Sequence, residues 1–181
     1  SRDLQILSSD QAVDVFRELL WAEATALGIG KHLINIPTAL TISDGGVDAE
    51  IKDVAVSGGQ GIIRPGLTSY QIKTGDYSLR KRNNIQGILF TPQSIKSKKY
   101  ELEPRVKDCL DRDGTLIIVL FGWDKPEVRH GEFIDLFREK LRAIDPKYEN
   151  AKIEVWQPNQ LMGYFKHFPS LALKVKGLEG M

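Results

Sequence analysis

Gly45-Gly46-Val47-Asp48-Ala49-Glu50-Ile51 and Ser69-Tyr70-Gln71-Ile72-Lys73 decide how this chain is read, because together they predict two neighbouring strands with chemistry on one face. Ser43-Asp44-Gly45-Gly46 has the residues of a tight turn and delivers Val47 to Val56 as a strand. Pro65-Gly66 is a second turn, ahead of a strand from Leu67 to Thr74. Strand side chains alternate, so Gln71 and Lys73 share one side and Tyr70 and Ile72 the other; Asp48 and Glu50 share a side by the same rule. If the strands pair, a carboxylate, an amide oxygen and an ammonium converge.

Working outward toward the N-terminus, Ser8-Ser9-Asp10 offers N-cap residues, and Val13, Phe16, Leu20, Ala24 and Leu27 form the apolar stripe of an amphipathic helix that Gly28 and Gly30 end. An extended stretch is expected around Leu33 to Ile42, and Ser57-Gly58-Gly59-Gln60-Gly61 reads as a flexible connection. Toward the C-terminus a basic, turn-rich stretch admits helix only in parts. A helix follows near Glu103 to Asp111, then a strand from Thr115 to Phe121 whose continuous apolar run fits burial on both faces. A helix over Phe133 to Ile144, a strand over Lys152 to Trp156 and a short helix over Asn159 to Phe165 complete the order. Helix, three strands, helix, strand, helix, strand, helix predicts an α/β sandwich on a mixed central sheet.

The chain has 181 residues, 41% hydrophobic and 27% charged, which suits one globular domain over 1–173 with 174–181 as a tail or the start of a linker to a further region. Its longest apolar runs, such as Leu116 to Phe121, fall far short of the ~20 residues of a membrane span, and no signal-peptide pattern opens the chain, so the expected location is cytoplasmic and not membranous. The single cysteine, Cys109, excludes an internal disulfide framework and a cysteine zinc cluster and reads as a small core residue. His32, His130 and His167 are too widely spread for a histidine metal site, and no Gly-x-x-x-x-Gly-Lys phosphate loop is present.

The net charge of +1 gives no global sign of a nucleic-acid partner, so the electrostatic argument is local. Between Leu79 and Lys107 eight Lys and Arg residues face two Glu. Arg80, Lys81, Arg82, Lys96, Lys98 and Lys99 are the candidate phosphate contacts, with a solvated loop as the plainer reading. Tyr77 and Tyr100 flank the segment; stacking on bases and simple packing are both open.

The chemistry the strand pair suits is phosphodiester cleavage, which calls for a hard cation held by oxygen ligands. Asp48 is the anchoring candidate, with the Gln71 side-chain oxygen and the Ile72 backbone carbonyl as further donors, while Lys73 orients or helps deprotonate the attacking water. Glu50 is a possible extra ligand or a solvated acid. Read as structure alone, Asp48 caps a turn, Gln71 sits on a polar strand face and Lys73 is solvated.

Gly46-x-Asp48 with Gln71-Ile72-Lys73, between an acidic helix and the buried strand at Leu116, resembles the PD-(D/E)xK nucleases. The likeness is to the branch with Gln-x-Lys in place of Glu-x-Lys, that of Mrr-like restriction endonucleases and of the nuclease domains of antiphage proteins. No proline precedes Asp48. The resemblance spans about residues 10 to 125. It implies a restriction-endonuclease-like α-β-β-β-α-β core, Mg²⁺-dependent cleavage of double-stranded DNA with Mn²⁺ able to substitute, and a role as effector domain in bacterial antiphage defence or restriction. Cutting both strands of a duplex needs two sites, which implies a homo-oligomer formed through a missing C-terminal region. The resemblance also implies a glutamate from the first helix. Glu23 borders the apolar stripe whereas Glu18 faces away from it, so Glu23 is the expected catalytic and metal-binding partner of Asp48, Gln71 and Ile72. A catalytically silent DNA-binding module of the same fold, or a structural domain, is the alternative.

Overall fold

The computed structural model describes residues 2–35, 46–55, 59–122 and 130–178. A short helix α1 (Arg2–Gln5) precedes α2 (Ser9–Ala26). A reciprocal capping box starts α2: the Ser8 hydroxyl accepts the Gln11 N–H, and the Gln11 side chain accepts the Ser8 N–H at 2.9 Å. Gly28, at φ +71°, lies just past its end, as the sequence predicts.

Five strands follow in one sheet of spatial order β1-β2-β3-β4-β5: β1 (Ile34–Asn35), β2 (Ala49–Val54), β3 (Gly66–Lys73), β4 (Thr115–Leu120) and β5 (Lys152–Trp156). β1, β2 and β3 pair antiparallel, and β3, β4 and β5 pair parallel. Parallel neighbours need a crossover. Between β3 and β4 this contains α3 (Arg82–Leu89), α4 (Pro92–Ser97) and α5 (Pro104–Asp111); between β4 and β5 it contains α6 (His130–Ile144). After β5 come α7 (Pro158–Lys166) and α8 (Pro169–Leu178). The class is therefore α/β, a mixed sheet flanked by helices. Every residue of β4 is buried, as its continuous apolar run predicts.

Alternation divides the interior into two cores. On one face Tyr70 and Ile72 of β3 and Ile117 and Val119 of β4 pack with α1, α2, α7 and α8. On the other, Leu116, Ile118 and Leu120 pack with Ile85 and Leu89 of α3, Val106 and Cys109 of α5 and Phe137 of α6. Cys109 is the core residue expected of it, and burial pushes its thiol up to about 11.

Three expectations are revised. The basic stretch is mostly helical, in α3 and α4, and its return is joined by a bridge between Phe90 and Leu102. Residues 174–178 form the last turns of α8, where a tail was expected. Lys174 of that helix pairs with Glu18, which is half-buried instead of facing solvent. Residues 36–42, the Ser43-Asp44-Gly45 part of the turn, and Val56-Ser57-Gly58 lie outside the described residues. No helix among the described residues is long and apolar enough to cross a membrane.

Candidate active site

Antiparallel pairing of β2 with β3 reaches Ala49 opposite Tyr70 and is then carried on by Asp48. Its N–H donates to the Tyr70 carbonyl at 2.8 Å, and its Oδ2 accepts the Ile72 N–H at 2.6 Å. The carboxylate is therefore tied to the end of β3 by a short charge-assisted bond. The N–H and C=O of one strand residue point to the same edge, so the Ile72 carbonyl also faces the Asp48 side.

Gln71 points to the α3 and α5 face and is 2% exposed. Its Nε2 donates to the Ile88 carbonyl of α3 at 2.8 Å. Its Oε1 is buried and accepts no hydrogen bond. An unpaired buried acceptor costs about 1–3 kcal/mol and calls for an explanation, which a cation or an ordered water provides.

Lys73 is half-buried beside these two, with Nζ 5.4 Å from the centre of the Tyr77 ring. Burial pulls its pKa below the ordinary 10.5, while the nearby carboxylates of Asp48 and Glu103 act to raise it. Glu103 is the site residue that sequence reasoning missed. Its backbone N–H donates to the Leu89 carbonyl at 2.9 Å, bringing it next to β3 at the start of α5. Burial pushes its carboxyl above the usual range, opposed by Lys73. Gly46 makes room for this arrangement: it sits at φ +85°, and a Cβ there would lie 2.6 Å from the Glu103 Cβ and 3.3 Å from the Gln71 Nε2. The one hint in the sequence was an acid just before Pro104, a position that reads equally well as the start of a helix.

Glu23 is not brought to this group. It is 1% exposed on the Tyr70 side of the sheet, where its Oε1 accepts the Gln60 N–H at 2.6 Å. Helix α2 packs over Tyr70 and Ile72, and alternation sends Gln71 and Lys73 to the opposite face. Glu50 shares the Asp48 face but is 2% exposed and paired with Lys52 at 3.3 Å and Arg105 at 3.4 Å. Arg80, Lys81, Arg82, Lys96, Lys98 and Lys99 are all exposed, and none pairs with a carboxylate among the described residues.

Among the described residues no three His, Cys, Asp or Glu side chains gather as a metal cluster. The oxygen donors at this end of β3 are the Asp48 carboxylate held by the Ile72 N–H, the unpaired Gln71 oxygen and the Ile72 carbonyl, with Asp48 and Glu103 both near Lys73. An all-oxygen set of this kind suits a hard cation such as Mg²⁺ and does not suit a thiophilic one. No family model, no curated protein and no solved structure matches this chain.

Proposed function

We propose that the chain is a Mg²⁺-dependent endonuclease domain of the PD-(D/E)xK type that hydrolyses DNA phosphodiesters. The observation carrying this reading is the buried, unpaired Oε1 of Gln71 on the strand whose Ile72 N–H holds Asp48 and whose Lys73 has a lowered pKa. The order α2, β1, β2, β3, α5, β4 supports it as the expected helix, three strands, helix, strand core, with α3 and α4 as an insertion.

Asp48, Gln71 and the Ile72 carbonyl hold the divalent cation in this scheme. When bound, the cation supplies Lewis acidity at the phosphoryl group and offsets its negative charge. Lys73, held by burial closer to its neutral form, orients the attacking water and accepts its proton. Asp48, clamped by the Ile72 N–H, keeps its carboxylate in place without relying on a flexible loop. The exposed cations leading into α3 and around the end of α4 hold the phosphate backbone. Bacterial antiphage defence or restriction is the setting we assign, with an oligomer for double-strand cuts.

Nicking of supercoiled plasmid tests the reading. The parent protein is expected to nick with Mg²⁺ or Mn²⁺ and not with EDTA, and Lys73→Ala to lose nicking while still binding DNA. Binding without nicking in the parent would favour the catalytically silent module.

A further inference from the structure

Helices α3 and α6 border a groove of about 470 Å³ on the outer layer of the molecule. Arg82, Gln86 and Phe90 recur at every fourth residue and form one wall. Lys140, Arg142 and Ile144 line the other. Tyr100 completes the lining, with its ring centroid 5.0 Å from that of Phe90 and its hydroxyl accepting the Gln86 Nε2–H at 3.2 Å. Tyr100 remains 37% exposed. A second groove of about 370 Å³ shares Arg82, Glu139 and Lys140 with the first and adds Arg80.

Four cations therefore line these two grooves with one carboxylate, Glu139, while Asp135 and Glu149 border Arg142 in an adjoining groove; none of the four is paired with an acid among the described residues. Cations gathered without acidic partners create a positive potential that attracts a polyanion. The exposed ring and the apolar Ile144 side chain add a surface for a planar group. Phosphate and a planar ring in one ligand is the chemistry of a nucleotide.

We propose that the α3/α6 groove binds a nucleotide unit of a nucleic-acid strand, with its base on Tyr100 and its phosphates at Arg82, Lys140 and Arg142. This rests on the nucleic-acid part of the proposed function and not on the cleavage chemistry. Helix α3 borders both places: its Ile88 carbonyl holds Gln71, while Gln86 lines the groove. A strand leaving the cleavage site would cross α3 to reach it. Nucleic-acid contacts thus extend from the predicted Arg80 and Arg82 to two α6 residues that the sequence did not single out.

Photocrosslinking in EDTA tests this, using a short single strand that carries 5-iododeoxyuridine and, in parallel, free 5-iododeoxyuridine monophosphate. The expected result is an adduct on the peptide containing Tyr100, lost in a Tyr100→Leu variant that circular dichroism shows to be folded at the assay temperature. Arg82→Ala with Arg142→Ala should lower the salt slope of strand binding by about 1.4, since each single-strand phosphate contact contributes ~0.7. An adduct from the strand alone assigns a strand-binding groove, and one from both probes a pocket that also takes the free nucleotide. A strand that binds but crosslinks elsewhere, or an unchanged salt slope, overturns the groove. If plasmid is still nicked in either of those cases, the cleavage reading stands without it; a parent protein that binds no nucleic acid overturns both.

Discussion

The Nε2 of Gln71 donates to the Ile88 carbonyl at 2.8 Å, and this one bond leaves the amide oxygen as the end able to accept from a water or bind a cation. With its nitrogen held by α3, the amide keeps its oxygen as the buried end that accepts no protein hydrogen bond. A weak neutral ligand is thereby oriented in advance, which partly offsets its lack of charge.

Gln71→Glu removes that donor and sets a carboxylate against the Ile88 carbonyl at a position 2% exposed. The variant should lose about 1–3 kcal/mol of stability in EDTA and recover more of it than the parent does when Mg²⁺ is added. Thermal melts in both conditions check this, and an unchanged melting temperature in EDTA would count against the bond.

Lys73→Met should abolish nicking and raise stability at neutral pH. Burial holds the Lys73 pKa below 10.5. Between the lowered value and 10.5 the unfolded chain binds more protons than the folded one, so parental stability rises with pH across that window. The methionine variant should lack the rise in denaturant titrations run at several pH values.

Glu103→Gln should show the opposite sign. The folded carboxyl is raised above 4.5, so between 4.5 and the raised value the folded chain binds more protons and parental stability falls as pH rises. The glutamine variant should lose that fall and be the more stable protein at pH 7. Equal pH profiles would place Glu103 in solvent.

Glu23→Gln should leave Mn²⁺ affinity unchanged. It weakens the charge-assisted bond from the Gln60 N–H and should cost about 1–2 kcal/mol of stability. A large loss of metal affinity in a folded variant would restore Glu23 to the site.

The strands bearing Asp48, Gln71 and Lys73 were legible because turn residues bound them and the two-residue period assigns their faces. Glu23 lies across the sheet from Gln71 and Lys73 for a definite reason. Helical phase shows which side of α2 meets the sheet, but not which side of the sheet α2 covers. Glu103 was invisible because its place beside Lys73 depends on the chain returning through the Phe90 and Leu102 bridge, a non-local contact with no local signature. Helix α8 escaped notice because Val175 is its one fully buried residue and no stripe marks it. The same helix covers Glu18, so missing α8 also misplaced that acid in solvent.

The most direct test of the cation site is the anomalous difference map of a crystal soaked in Mn²⁺. A peak is expected within ligand distance of both the Asp48 carboxylate and the Gln71 Oε1, absent from a Gln71→Met crystal treated identically. No peak at this position in the parent, or one that persists unchanged in Gln71→Met, would contradict it.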